Sequence, residues 1–238
     1  MADSRLIVAL DYPGFEEMKD TVEKLGDSIS HYKVGMELYY SAGPAAIRYL
    51  TEQGKQVFLD LKLHDIPNTV AGSSAALTRL GVFMFNVHAS GGQAMMSAAV
   101  ESSTIQAQQL GMKRPLLIAV TVLTSINQNE WTNLGHAAAI AEQVVHLAVL
   151  AKESGMDGVV ASAQEAAAIR QACGPEFHIV TPGIRPVWAA VNDQSRITTP
   201  ADALKAGASF LVVGRPITAA ENPVEAASKI IAEMRDLV

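Results

Sequence analysis

Short apolar runs alternate along the chain with longer segments whose apolar residues recur at helical spacing. Eight of the apolar runs are predicted to be strands, and they are mostly apolar throughout, which is typical of parallel strands covered on both faces. The predicted strands cover 6–11, 31–36, 56–62, 84–89, 115–123, 158–162, 178–183 and 210–215. A helical segment follows each of them, at 14–26, 41–54, 67–81, 91–111, 136–155, 164–173, 199–206 and 222–236. Eight βα units predict an α/β fold, a (β/α)8 (TIM) barrel in which residues 1–238 form a single domain.

The chain length and the positions of glycine agree with this fold. The 238 residues match one barrel, which takes about 250 residues. Gly54, Gly81, Gly111 and Gly155 follow helical segments, at the place where a C-cap glycine belongs. A doubly wound open sheet is the alternative fold, because a strand count made from one sequence can be wrong.

Charged residues interrupt the apolar pattern where the third predicted strand ends. Side chains alternate between the two faces of a strand, so Asp60 and Lys62 share the face opposite to Leu59 and Leu61. The aliphatic face is predicted to meet the outer helices. The charged face then points into the barrel at its C-terminal end, where barrel enzymes carry their catalytic residues.

Two neighbouring strands add charges at the same end, since the first ends in Asp11 and the second carries Lys33. One interpretation is a structural ion-pair network, but buried ion pairs seldom stabilise a fold more than apolar packing does. Another is a magnesium site on Asp11 and Asp60, but Lys33 and Lys62 would repel a dication. We favour a catalytic cluster without a metal, because alternating charges in a cleft set pKa values and fix charge positions.

An anion site is predicted on the other side of the barrel mouth. Arg185 follows the seventh predicted strand, and Gly214 and Arg215 follow the eighth. Phosphate sites of barrels commonly form from these two loops, where glycine allows a close approach and arginine supplies several donors. Either arginine alone would be interpreted as a solvated surface residue. Two loops are longer than a barrel needs and are predicted to be functional, 124–135 and 184–198.

Composition excludes several classes of protein. A formal net charge of −6 argues against a nucleic-acid partner, which requires a basic face, but it leaves room for a small anionic ligand. The chain has one cysteine, Cys173, and hence no internal disulfide, which fits a reducing compartment. The first residues lack the features of a signal peptide, and no apolar run reaches about 18 residues. We therefore expect a cytoplasmic protein without a membrane span.

Six segments stand out in order over nearly the whole chain: Asp11, KVG at 33–35, DLKLHDIPNT at 60–69, VTVLTS at 120–125, TPGIR at 181–185 and VGRPI at 213–217. Together they resemble the orotidine 5′-monophosphate decarboxylase family. The spacing of Asp60, Lys62 and Asp65 is shared with a wider group of sugar-phosphate enzymes. The full decapeptide at 60–69 together with Lys33 is far more specific to this family. In magnesium-dependent members of that group, a metal-binding carboxylate stands where this chain has Lys33.

The resemblance implies decarboxylation of orotidine 5′-monophosphate to uridine 5′-monophosphate (UMP) and CO2. The reaction would need no cofactor and would be the last step of de novo UMP biosynthesis. Lys62 would donate a proton to C6 of the pyrimidine, and Asp60 would lie beside the substrate carboxylate. Lys33 would hold Asp60 and contact the ribose, and Asp11 would bind a ribose hydroxyl.

The resemblance also implies a homodimer, because Asp65 and Thr69 would reach the site of the partner subunit. Thr124 would contact the pyrimidine ring. The other implied substrate-binding residues lie on the phosphate side and in the loop that closes over it: Pro182, Arg185, Gln194, Gly214 and Arg215.

Two other functions stay open from the sequence. One is a metal-dependent lyase of the same barrel group, acting on keto-acid or pentulose phosphates, whose activity a chelator would remove. The other is a catalytically silent barrel that binds a nucleotide, which would have no need of Lys62.

Overall fold

Eight parallel strands form a closed barrel in which each strand pairs with its neighbours in chain order. The computed structural model describes residues 2–188 and 198–235. The strands are β1 (Leu6–Leu10), β2 (His31–Gly35), β3 (Gln56–Leu63), β4 (Met84–His88), β5 (Leu116–Val120), β6 (Gly158–Val160), β7 (His178–Thr181) and β8 (Phe210–Val213). The pairing of Val8 in β1 with Val213 in β8 closes the barrel. The predicted (β/α)8 barrel is therefore confirmed, and the open-sheet alternative is wrong.

Helices surround the barrel, because each crossover between parallel strands must return along the outside of the sheet. In the described part of the chain they are α1 (Phe15–Leu25), α2 (Met36–Ala42), α3 (Pro44–Glu52), α4 (Pro67–Arg79), α5 (Gln93–Leu110), α6 (Gln128–Asn133), α7 (Ile140–Glu153), α8 (Ala163–Cys173), α9 (Pro200–Lys205), α10 (Arg215–Thr218) and α11 (Pro223–Arg235). None of these described helices combines the length and hydropathy that a membrane span requires.

The helical prediction at 41–54 is wrong in one respect, because two helices occupy this region. Gly43 separates α2 from α3 with φ +60°, a conformation that favours glycine, and Pro44 then begins α3. The predicted loop at 124–135 likewise contains the short helix α6. A capping box between Asn127 and Glu130 satisfies its first backbone N–H groups.

The apolar core has two layers. The larger layer lies between the outer faces of the strands and the helices. The smaller layer fills the inside of the barrel with Ile7, Ala9, Phe58, Met84, Ile118, Val180 and Val212. Because side chains alternate along each strand, one strand contributes to both layers. The inner layer supports the charged residues that follow it at the C-terminal end.

Aromatic rings close the opposite end of the barrel. Phe83 contacts His31 edge-on with a centroid distance of 5.0 Å, and it contacts Phe210 at 5.9 Å. The ring of His178 lies 5.5 Å from Phe210. Burial lowers the pKa of His31 and of His178, so both imidazoles are neutral at neutral pH. The barrel is thus filled with neutral groups below its charged mouth.

The strand β3 is irregular at the position that matters for the site. Leu59 pairs with Phe85 of β4, but the next paired residues are Leu63 and Val87, so β3 contains two more residues than β4 in this interval. Within this bulge Lys62 has φ +54°, the one positive φ of a non-glycine residue in the described part of the chain. A left-handed conformation costs a residue with a Cβ roughly 1–2 kcal/mol, so neighbouring contacts must hold Lys62 in place.

Arg170 of α8 connects two loops at the closed end of the barrel. Its guanidinium donates hydrogen bonds to backbone carbonyl groups of the loop before β7 and of the loop before β8, and to one hydroxyl group. The acceptors are the carbonyl oxygens of Gly174, Pro175, Phe177 and Gly207 and the Oγ atom of Ser209. One side chain therefore satisfies several partly buried groups that have no strand partner.

Replacement of Arg170 is expected to destabilise the fold. Arg170→Met would remove the donor from the four carbonyl oxygens, and we expect it to lower the free energy of unfolding by about 2–3 kcal/mol in urea denaturation. Arg79→Met is the control, because the exposed Arg79 donates to the side chain of Gln106 on the surface. We expect it to cost less than about 0.5 kcal/mol. Equal losses in the two variants would contradict the role given to Arg170.

Candidate active site

A cavity of about 290 Å³ opens at the C-terminal ends of the strands. Strands and loops from both halves of the barrel line it, so residues far apart in sequence face one space. Nine of the residues predicted from sequence line this cavity: Asp11, Lys33, Asp60, Lys62, Thr124, Pro182, Arg185, Gly214 and Arg215.

Four of these residues form a chain of alternating charges. The Nζ atom of Lys33 lies 2.9 Å from Oδ1 of Asp11 and 3.4 Å from Oδ2 of Asp60. The other carboxylate oxygen of Asp60, Oδ1, accepts a hydrogen bond from Nζ of Lys62 at 2.8 Å. The predicted convergence is correct, and Asp60 lies between the two ammonium groups.

The neighbouring charges keep Lys33 and Asp60 ionised. Burial opposes the charge on Lys33, but the carboxylates of Asp60 and Asp11 outweigh it and raise the pKa of the ammonium above its usual value. Burial also opposes the charge on Asp60. Here the ammonium groups of Lys33 and Lys62, with their hydrogen bonds, outweigh burial and hold the pKa of the carboxyl below its usual value. At neutral pH the cavity therefore holds fixed opposite charges.

The sequence makes room for this cluster at Gly35, the last residue of β2. A Cβ atom at this position would lie 3.0 Å from Nζ of Lys33 and 3.2 Å from Oδ1 of Asp11, so these two groups would have to shift by a few tenths of an ångström. The glycine of the KVG segment thus leaves room for the ion pair beside it.

One residue of the cluster was not predicted from the sequence. Asn86 of β4 is 1% exposed, and its side chain lies between the backbone of Lys62 and the carboxylate of Asp60. The available signal was an amide inside the otherwise apolar run MFNV. Asn86 reaches the backbone of Lys62 because β3 is bulged at this point, and the alternation of residues along the sequence does not reveal a bulge.

The wall beneath the charges is apolar. Phe58, Val120, Val160 and Val212 line the cavity from four different strands. Such a wall excludes water and lowers the local dielectric constant, so the charges of the cluster act more strongly on a bound molecule than they would in water. The cavity therefore combines an apolar wall with an ammonium group held by Asp60.

The opposite side of the cavity carries positive charge. Arg185 is 6% exposed, and its backbone N–H donates to the carbonyl of Thr198, which joins the two ends of the long loop after β7. Arg215 follows β8 and is exposed, next to Gly214 at the start of α10. The prediction that the loops after β7 and β8 bring both arginines to one cavity is correct.

Two residues predicted from the resemblance, Asp65 and Thr69, do not line this cavity. Asp65 and Thr69 are exposed, on the loop after β3 and in the first turn of α4. Asp65 accepts a hydrogen bond from the backbone N–H of Ile66 at 2.7 Å. Gln194 lies outside the described residues.

The carboxylates of the cavity are paired with ammonium groups. In the ranges 2–188 and 198–235, no three His, Cys, Asp or Glu side chains are grouped so that they could hold a metal ion. The lysines Lys33 and Lys62 occupy the places beside Asp11 and Asp60 where a cation would bind.

The chain is similar to known proteins over its whole length. A profile described as "Orotidine 5'-phosphate decarboxylase / HUMPS family" matches residues 4–230. A protein of Syntrophomonas wolfei named orotidine 5'-phosphate decarboxylase is 52% identical over 237 residues, which is 99% of each chain. One of the same name from Moorella thermoacetica is 52% identical and covers 98% of this chain and 93% of its own.

Solved structures give the same result. The crystal structure of orotidine 5'-phosphate decarboxylase from Lactobacillus acidophilus superposes with a TM-score of 0.87 at 43% identity, over 98% of this chain and all of that one. The enzyme of that name from Pyrococcus horikoshii superposes with a TM-score of 0.76 at 29% identity, over 97% and 99% of the two chains. The resemblance predicted from the sequence is confirmed, and the chain belongs to the orotidine 5'-phosphate decarboxylase / HUMPS family.

Proposed function

We propose that this protein decarboxylates orotidine 5′-monophosphate to UMP and CO2 in pyrimidine biosynthesis, without a metal or an organic cofactor. The observation that carries the proposal is the ammonium of Lys62, held 2.8 Å from Asp60 in a cavity with two arginines on its far side. Relatives about half identical over the whole chain carry the name of this activity.

The reaction requires an environment for an unusual anion. When the bond between C6 and the carboxylate breaks, its electron pair stays on C6 in the plane of the pyrimidine ring. The π system cannot delocalise this pair, so the protein must stabilise a localised negative charge. A fixed cation in a site that excludes water provides such stabilisation, because it needs no reorganisation as the charge develops.

In this proposal Lys62 stabilises the carbanion and then supplies the proton. Its ammonium attracts the electron pair as CO2 leaves, and one N–H proton passes to C6 to give UMP. The resulting amine regains a proton from solvent before the next turnover. Asp60 keeps the ammonium of Lys62 aimed into the cavity through the 2.8 Å hydrogen bond.

Asp60 also acts on the substrate carboxylate. Two negative groups placed side by side repel each other in the bound substrate, and this repulsion falls as charge moves from the carboxylate to the ring. Lys33 holds the second oxygen of Asp60, so the carboxylate of Asp60 cannot turn away from this contact. Lys33 and Asp11 bind the hydroxyl groups of the ribose.

The phosphate provides binding energy at a distance from the reacting carbon. Its contacts come from Gly214 and Arg215 after β8, while Arg185, Pro182 and Gln194 belong to the loop after β7 that covers it. Thr124 contacts the pyrimidine ring. Binding energy from a remote group can be used to close a loop and to position C6, so truncated substrates are expected to lose turnover as well as affinity.

We also propose that the active protein is a cytoplasmic homodimer. Asp65 and Thr69 are exposed although they follow Lys62 closely in sequence, which suits contacts with the site of a second subunit. Ile66, between them, has 66% of its surface exposed, and Tyr40 of α2 has 74% exposed. Large apolar side chains that are exposed in one subunit favour burial against a partner.

The first test of the proposal is a spectrophotometric assay of orotidine 5′-monophosphate with EDTA present. We expect rapid loss of the orotate absorbance and formation of UMP at the same rate with and without the chelator. Loss of activity in EDTA would favour the metal-dependent lyase. A folded protein that binds UMP but leaves the substrate unchanged would favour the silent nucleotide-binding barrel.

Replacement of Lys62 is expected to separate chemistry from binding. Lys62→Ala removes the cation and the proton donor, so kcat should fall at least about 10³-fold while the Kd of UMP, measured by calorimetry, stays within a few fold. Arg215→Ala is the matched comparison, and it should raise KM and the Kd of UMP by roughly tenfold or more. A Lys62→Ala variant that keeps a tenth of the activity would contradict the assigned role.

The contribution of the partner subunit can be tested by mixing two inactive variants. Lys62→Ala and Asp65→Ala would each lack activity as homodimers. In a mixed dimer, the subunit with an intact Lys62 would receive an intact Asp65 from its partner, so one site of two would work. After subunit exchange at equal concentrations, we expect about one quarter of the wild-type activity, since half of the dimers are mixed. No recovery, with exchange verified by mass spectrometry, would place Asp65 in its own subunit's site.

A further inference from the structure

Asn86 is a buried amide next to the reacting groups, but it does not line the cavity. It lies in the middle of β4 with 1% of its surface exposed, and its neighbours Phe85 and Val87 are fully buried. An amide side chain placed in such surroundings is costly unless its donor and acceptor are both used. Asn86 uses both, and each bond goes to a residue of the charge cluster.

The acceptor of Asn86 holds the backbone of Lys62. Its Oδ1 atom accepts a hydrogen bond from the backbone N–H of Lys62 at 2.8 Å. In a regular ladder this N–H would pair with the backbone of a neighbouring strand, but the bulge between Leu59 and Leu63 interrupts the pairing with β4. The side chain of Asn86 therefore replaces the missing ladder bond where Lys62 has φ +54°.

The donor of Asn86 holds the carboxylate of Asp60. Its Nδ2 atom lies 2.7 Å from Oδ1 of Asp60, the same oxygen that accepts from the ammonium of Lys62 at 2.8 Å. Since the other oxygen of Asp60 faces Lys33, donors surround the carboxylate on both sides. The rotation of this carboxylate is fixed, and so is the direction of the Lys62 ammonium.

We propose that Asn86 is a positioning residue for the decarboxylation, a role that rests on the function proposed above. Its side-chain amide holds two groups at once. One is the strained backbone of Lys62, and the other is the carboxylate of Asp60, which in turn orients the Lys62 ammonium. Asn86 acts through these two residues and touches neither the substrate nor the cavity.

The chemistry of the amide explains the choice of residue. A neutral asparagine offers one acceptor and two N–H donors in one plane, which matches a backbone N–H on one side and a carboxylate on the other. Aspartate has the same shape but, when ionised, offers no donor and repels Asp60. An apolar residue of similar size would leave the N–H of Lys62 buried without an acceptor. Neither replacement keeps both bonds.

A positioning role predicts that replacement of Asn86 lowers kcat and leaves KM nearly unchanged. Asn86 makes its two side-chain hydrogen bonds to Lys62 and Asp60, and the phosphate is assigned to residues after β7 and β8. Binding of the substrate should therefore survive when Asn86 is replaced. A displacement of the reacting ammonium by a fraction of an ångström should instead lower the rate of the chemical step. A residue that merely stabilised the barrel would lower the melting temperature and leave the kcat of the folded enzyme unchanged.

The test uses Asn86→Ala, which removes both bonds, and Asn86→Asp, which keeps the shape and the acceptor but loses the donor. Both are assayed with orotidine 5′-monophosphate at a temperature well below the Tm of each variant, with folding verified by circular dichroism. We expect kcat to fall about tenfold to a hundredfold in both variants, with KM within about threefold of the wild-type value.

The control is Ser103→Ala, which removes a buried hydrogen bond to Thr78 between α5 and α4, away from the cavity. It should lower the Tm while kcat stays within about twofold of the wild-type value. Activity of the wild type and of this control shows that the proposed reaction stands, whatever happens at Asn86. The positioning role is overturned if both Asn86 variants keep kcat within threefold, if KM rises as much as kcat falls, or if neither variant folds.

Discussion

The carboxylate of Asp60 is the group on which the remainder of the site depends. It accepts from Lys62 and Asn86 through one oxygen and faces Lys33 through the other. These contacts offset the cost of burying a negative charge, because each oxygen has a cationic or polar donor. They also fix the direction of the Lys62 ammonium before any substrate enters. Removal of any one contact would allow the buried carboxylate of Asp60 to turn. The ionisation of Asp60 and the direction of the Lys62 ammonium therefore depend on the same set of contacts.

The barrel makes such a cluster tolerable by keeping its charged groups at one end. The inner layer of the core and the aromatic rings around Phe83 fill the barrel with neutral groups, and the outer layer packs the helices against the strands. This burial of apolar surface provides the stability that a row of four charges at the mouth does not. The strands in turn hold the charges more rigidly than loops would.

Strain and function coincide at β3. The bulge places Lys62 in a left-handed conformation that a lysine rarely adopts, and Asn86 supplies the hydrogen bond that the interrupted ladder lacks. Backbone strain of this kind persists only where the surroundings hold it, and it commonly marks a functional position. One residue of the adjacent strand, Asn86, therefore holds both the strained backbone of Lys62 and the carboxylate that accepts from its ammonium.

The sequence by itself determined the eight βα units, the end of the barrel that carries the chemistry, and most of the residues that meet there. These follow from local rules, namely apolar runs, side-chain alternation and the loops in which arginines and glycines stand. Only the tertiary structure decided the break of the second helical segment at Gly43, the bulge in β3 and the part played by Asn86. It also decided that Asp65 and Thr69 are exposed and do not line the cavity of their own chain. The physical reason is that the register between strands depends on contacts across the sheet. The sequence of one strand does not specify which residue of the next strand will lie beside a given residue.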